Sequence, residues 1–156
     1  ICDWVITRQG NRLITDELLP FEIVNQKIWD LESEVFIPAA ASRLVTRNQV
    51  DRMIASGLEV MSCGANVPFA DPEIFFGDTG LYVDEKISVI PDFVANCAMA
   101  RVFAYFMERE VSMDDHSIFE DISGTIFNAL DKSRKQSTSK THLAQTTFEI
   151  ALRQLV

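Results

Sequence analysis

Residues 58–66 read LEVMSCGAN, and this stretch decides the fold. Apart from Glu59, residues 58–63 are apolar or small with little polar alternation, which is the pattern of a strand buried on both faces in a helix-flanked parallel sheet. The run stops at Gly64-Ala65-Asn66, a turn of small residues with one amide side chain. Two other runs repeat the arrangement. Residues 34–37 (EVFI) lead into Pro38-Ala39-Ala40-Ala41, and residues 87–90 (ISVI) lead into Pro91-Asp92. A fourth apolar run, residues 1–7 (ICDWVIT), opens the sequence.

Helical patterns separate these runs. Residues 16–30 carry Leu18, Leu19, Ile23, Ile28 and Trp29, with Pro20 expected in the first turn, where a missing N–H is harmless. Thr46-x-x-Gln49 has the form of a capping box and precedes Val50, Met53 and Ile54 at helical spacing. Alternating strands and helices predict βαβ units and a mostly parallel sheet. After Pro91 the pattern changes. Residues 93–108 are apolar on nearly every side, which predicts a buried helix. Ser112-x-x-Asp115 is expected to cap an amphipathic helix through Ile118, Phe119, Ile122, Ile126 and Leu130. A polar linker is expected at residues 133–139 (SRKQSTS), before a last helix with Leu143, Thr147, Phe148, Ala151, Leu152 and Leu155. The predicted fold is one α/β domain over residues 1–156. Residues 1–91 form a partial Rossmann-like, mostly parallel sheet with helices on both faces, and residues 92–156 form C-terminal helices.

Composition narrows the partners. The 156 residues are 47% hydrophobic and 24% charged, values of a globular chain. Fourteen Lys and Arg against 23 Asp and Glu leave a net charge of −9, so no basic surface is expected for nucleic acid or anionic membrane. A dinucleotide stays possible, because backbone N–H groups hold a pyrophosphate without basic side chains. Cys2, Cys63 and Cys97 lie in apolar stretches and imply a reducing, cytoplasmic setting, with Cys63 and Cys97 read as small buried hydrophobes. No stretch reaches the ~20 apolar residues of a membrane span. Ile1-Cys2-Asp3-Trp4 has neither a basic signal-peptide start nor an initiator Met, and reads as the start of a cut or processed chain.

Ligands of open parallel sheets bind at the carboxyl ends of the strands. Three strand ends built from small residues on one edge therefore point to a site there, although each alone is explained better by turn geometry. Asn66 offers a donor and an acceptor. Asn96, at the start of the apolar helix, reads either as a cap or as a ligand contact. Asp3 reads either as a solvated terminal residue or as the acid that ends a second Rossmann strand and holds ribose hydroxyls. The six glycines (10, 57, 64, 77, 80 and 124) spell no G-x-G-x-x-G, so the first strand and its glycine-rich phosphate loop are expected to be missing. Asp114-Asp115-His116 reads as a solvated helix start, with no metal expected. No nucleophile–base arrangement stands out.

Three stretches, VFIPAAASRLVT (35–46), SCGANVPF (62–69) and VIPDFVANCAMARVFAYFME (89–108), resemble in order the I-P-A-A, E-G-A-N and P-D-x-x-x-N-x-G-G motifs of the glutamate/leucine/phenylalanine/valine dehydrogenase family. Residues 1–10 and the last two helices resemble that family's cofactor domain more loosely. The resemblance implies oxidative deamination of an L-amino acid to a 2-oxo acid and ammonia, with hydride passed to NAD or NADP. It implies cofactor contacts from Ala39, Ala40 and Asn66 near the nicotinamide ribose, from Asn96 at the cleft, and from Asp3 near the adenosine ribose. It implies a substrate pocket at Asn96, Met99 and Phe103. Here Ala98-Met99 replace the family's G-G, and Phe103 replaces the Ser of glutamate-specific members, which favours an apolar substrate. The family's catalytic Lys and Asp belong to a substrate domain not matched here, so no catalytic residue is expected in this piece and it is expected to be inactive alone. A homo-oligomer is implied, and an uncovered parallel sheet edge predicts self-association. The alternatives are a non-catalytic α/β interaction module and a family member put to another use.

Overall fold

The computed structural model describes residues 6–10, 14–15, 18–108 and 112–154. The expected strand over residues 1–7, and Asp3 with it, lies for the most part outside them. Three strands, β1 (Val35–Phe36), β2 (Val60–Ser62) and β3 (Ser88–Ile90), form a parallel sheet in the order β1-β2-β3. Val35 faces Val60, Met61 faces Val89, and Ser62 faces Ile90. The helices are α1 (Phe21–Lys27), α2 (Arg47–Ala55), α3 (Asp78–Lys86), α4 (Asp92–Ala95), α5 (Ala98–Met107), α6 (Asp115–Gln136) and α7 (Leu143–Arg153). A 3-10 turn, Ile28–Asp30, follows α1 and packs against α2. This is a partial Rossmann-like α/β sheet with helices on both sides, followed by C-terminal helices.

The core lies where α2, α3 and α7 meet the sheet. Met61 and Cys63 project from one face of β2, beside Val89 of β3, and close on Val50, Met53, Val83 and Ala144. Expected burial on both strand faces holds for one face only. Val60, Ser62, Ser88 and Ile90 are half-buried, and Val35 on the edge strand is exposed. Period-two geometry puts alternate residues on opposite faces, and the described helices cover one of these more fully than the other.

Backbone polar groups at helix starts are satisfied by this chain's own side chains. The Thr46–Gln49 capping box forms as expected, with Gln49 Oε1 accepting from Thr46 N at 2.8 Å. Asp71 reaches α3, accepting from Thr79 N (3.1 Å) and Gly80 N (3.0 Å). Gly77 has to be glycine there, because a Cβ would meet the Asp71 carboxylate at 2.7 Å. Asp84 does the same for α7 across 60 residues of sequence, accepting from Ala144 N (2.9 Å) and Gln145 N (3.0 Å) while fully buried.

Four expectations change. Pro20 is the N-cap residue of α1 rather than a member of its first turn. Asp114, not Ser112, caps α6, accepting from Ser117 N at 2.9 Å. The hydroxyl of Ser112 bonds that same carboxylate and, with the Ser117 contacts, holds it well below the usual carboxylate range. The polar stretch at residues 133–139 is mostly helix: α6 runs to Gln136, and buried Ser133 Oγ lies 2.9 Å from both Ala129 O and Thr147 Oγ1. A hydroxyl that reaches back to the i−4 carbonyl fits inside a helix despite its polarity.

The largest change concerns residues 93–108. They form two helices, α4 and α5, that break at Asn96, and α5 is not buried. Met99, Phe103 and Met107 are 66%, 63% and 85% exposed, and only Tyr105 is buried. An all-apolar helix needs cover on every side, and among the described residues α6 is the main helix packed on α5. The junction is polar: Arg101 grips Asp121 with two bonds (2.6 and 2.7 Å) and Glu108 with a third (2.9 Å). These bonds hold the Asp121 carboxyl below its usual range.

Candidate site at the carboxyl edge of the sheet

All three strands are parallel, so their carboxyl ends share one edge. Pro38-Ala39-Ala40, Gly64-Ala65-Asn66 and Pro91-Asp92 meet there, and backbone bonds join them. Ala65 N donates to Pro38 O (2.7 Å) and Cys63 N to Ile90 O (3.0 Å). At Gly64 a Cβ would lie 3.2 Å from the Ala39 Cβ, so the first two turns touch through small residues. Ala39 and Ala40 are exposed.

The two asparagines singled out from sequence are in direct contact. Asn96 Nδ2 donates to Asn66 Oδ1 at 2.7 Å. Among the described residues the pair's other amide groups, Nδ2 of Asn66 and Oδ1 of Asn96, have no protein partner. One donor group and one acceptor thus face solvent side by side, a set that suits a hydroxyl-bearing or carboxamide ligand. Asn96 ends α4 with its backbone N bonded to Asp92 O at 2.8 Å, so its backbone N and side-chain Nδ2 shape this corner while Oδ1 stays open.

Loops behind the pair are zipped together. Arg43 N donates to Val67 O (2.8 Å), Val45 N to Pro68 O (3.0 Å) and Ala70 N to Val45 O (2.8 Å). Arg43 and Val67 both have left-handed backbones, at φ 59° and 45°. The Arg43 guanidinium bonds the Asp71 carbonyl. Beneath lies a small apolar pocket of about 60 Å³ walled by Cys63, Phe69, Phe75, Val89 and Phe93. Phe75 and Phe93 stack around Phe148 of α7 at 5.2 and 5.8 Å. Cys63 reads correctly as a buried small hydrophobe. Burial first, then the negative charges of Asp92 and Asp84, push its thiol up to about 12. Cys97 is only half-buried, outside the core.

The sequence pattern of the glutamate/leucine/phenylalanine/valine dehydrogenase family matches residues 9–155. The chain belongs to that family. A search of curated proteins finds no match. Among solved structures, a glutamate dehydrogenase mutant superimposes with a TM-score of 0.63 at 13% identity, over 82% of this chain and 29% of the other. At that identity the likeness speaks for the fold. This dehydrogenase-family chain therefore spans under a third of the length of that structure.

In this family member the structure unites Asn66 with Asn96 at the edge and leaves Ala39 and Ala40 open beside β1. Met99 and Phe103, four residues apart, share one exposed face of α5 that begins three residues past Asn96. Asp3 lies outside the described residues. Among the described residues no group of His, Cys, Asp or Glu is placed to hold a metal ion, and His116 stands exposed beside Glu120 at 3.7 Å. Sequence reasoning missed what Asp92 and Arg43 do at the turn, and it missed the Phe75–Phe93–Phe148 cluster. One signal was available: Asp92 and Asn96 are four apart, which places them together on one helical turn.

Proposed function

We propose that this chain is a single cofactor-side domain, residues 1–156, of an NAD(P)-dependent oxidoreductase that oxidatively deaminates an L-amino acid. The observation that carries the reading is the Asn66–Asn96 amide pair at the carboxyl edge of a parallel sheet. The residues fit a dinucleotide: small Ala39 and Ala40 leave the backbone approachable, and the paired amides offer an unpartnered donor and acceptor to a ribose or carboxamide. NAD or NADP, when bound, supplies the hydride acceptor. Asn66 and Ala39–Ala40 would hold the nicotinamide ribose, Asn96 would face both nicotinamide and substrate, and Asp3 would serve the adenosine ribose. Met99 and Phe103 would line the substrate side chain's pocket and exclude water from it. Neither can donate a hydrogen bond to a side-chain carboxylate, which favours an apolar amino acid over glutamate.

Acid–base chemistry is assigned to a substrate domain outside this sequence, so the isolated chain would bind without turnover. Exposed apolar residues on α5 favour homo-oligomeric assembly. Free thiols at Cys63 and Cys97 fit a cytoplasmic protein. The test is NAD(P)⁺ reduction, followed by absorbance, in the full-length protein that carries this chain, across a panel of L-amino acids. Turnover with leucine, valine or phenylalanine above glutamate supports the reading. Preference for glutamate sinks the role given to Phe103. Dinucleotide binding without turnover on any amino acid means the scaffold serves another reaction.

A further inference from the structure

We infer that Asp92 is a positioning residue that sets the Asn66–Asn96 pair, an inference that rests on the cofactor reading for its functional meaning but not for its geometry. Asp92 opens α4, yet a helix of four residues gains little from a carboxylate at its first position, and Pro91 already occupies the N-cap place. The carboxylate is used across the edge instead. Its Oδ2 accepts from Val67 N at 2.7 Å while Oδ1 accepts from Phe93 N at 2.9 Å.

Val67 is the residue next to Asn66, and it needs holding. A β-branched side chain at φ 45° is an outlier that survives only where its surroundings over-determine it. Here the residue is pinned from both sides, Arg43 N on its carbonyl and Asp92 on its amide. One turn along α4, Asn96 grips Asn66 Oδ1. Asp92 and Asn96 therefore act as a two-point clamp, one side chain on the backbone of residue 67 and the other on the amide of residue 66. Without the first point, Val67 is free to leave the left-handed region, and that rotation carries Asn66 away from Asn96.

Side-chain amide ¹H–¹⁵N resonances of Asn66 and Asn96 read the clamp directly, with no ligand present. In Asp92→Ala the Asn96 amide, which loses its acceptor, is expected to move to a solvent-exposed position, and the Asn66 amide to shift as its Oδ1 loses the bond. Asp92→Ser, which keeps a hydroxyl for Phe93 N but is too short for Val67 N, should do the same, and it carries the test if the alanine variant does not fold. Asp92→Asn, which keeps an oxygen for Val67 N, should largely restore the pair. Asp84→Asn, which weakens the carboxylate that caps the start of α7 away from the edge, should lower thermal stability and leave both amides unmoved. The expected loss in NADH affinity for Asp92→Ala is roughly tenfold, the worth of one charge-assisted bond. Folded Ala or Ser variants with unchanged amide resonances overturn the proposal. Amides that move as expected in a chain that binds neither NADH nor NADPH uphold the clamp and sink the cofactor reading.

Discussion

The regions on the two sides of Asn96 both carry apolar runs and meet opposite fates. Upstream, β2, β3 and their strand ends close into a core in which Met61 and Val83 are fully buried. Downstream, α5 shows Met99, Phe103 and Met107 to solvent. Local pattern specifies that both regions take up regular structure. It does not specify what covers them. The core residues find partners across the sheet and from α7. On α5, Arg101 finds Asp121 and Tyr105 finds the Ser112 carbonyl, and an open apolar face remains. An apolar helix can therefore be read for its period but not for its burial, since burial depends on what else is packed there.

The contrast can be tested by substitution, from strong effects to weak. Met61→Ala removes a fully buried side chain from the central strand and should cost about 3 kcal/mol, read by denaturant unfolding. A loss below about 1 kcal/mol would mean that the core is loosely packed. Asp84→Ala leaves the N–H groups of buried Ala144 and half-buried Gln145 unsatisfied and should cost about 2 kcal/mol. If that cost is real, α7 should also lose amide-exchange protection before β2 does.

A third test uses pH. The Cys63 thiol ionises at about 12 in the folded chain against a usual value of 9.0, so the folded state holds its proton more tightly. That contribution is complete below pH 9 and lost as pH rises toward 12, with a slope of up to about 1.4 kcal/mol per pH unit. Stability between pH 9 and 11 should fall with this slope, and Cys63→Ala should flatten it. Iodoacetamide at pH 8.5 should modify Cys97 well before Cys63. The smallest effect is expected on α5. Phe103→Asp should change stability by within about 0.5 kcal/mol, because the ring already faces water. It should lower self-association measured by light scattering. A large loss of stability would mean that α5 is covered in solution within the same chain.

What was legible in the sequence follows the same division. Strand runs, the Thr46–Gln49 capping box and the shared carboxyl edge are local signals, because strand period and cap chemistry are set by neighbours in the chain. The site residues Asn66 and Asn96 were legible as candidates for that reason, yet their contact was not, since it depends on Val67 turning left-handed under the hold of Asp92. Nor could spacing show that Asp84 caps a helix 60 residues later, or that Ser133 sits inside α6 beside Thr147. Each of these is one polar side chain satisfying a backbone group or hydroxyl brought near by packing. Burial of α5 failed for a simpler reason: hydrophobicity states a need for cover without naming the cover.

The most direct measurement is a titration of the ¹⁵N-labelled chain with NADH, followed at the side-chain amides of Asn66 and Asn96 and the backbone amides of Ala39 and Ala40. The account predicts saturable shifts at these four residues, with the α7 amides unmoved. Shifts confined to other surfaces, or none up to millimolar NADH and none with NADPH, would contradict the placement of the cofactor at this edge.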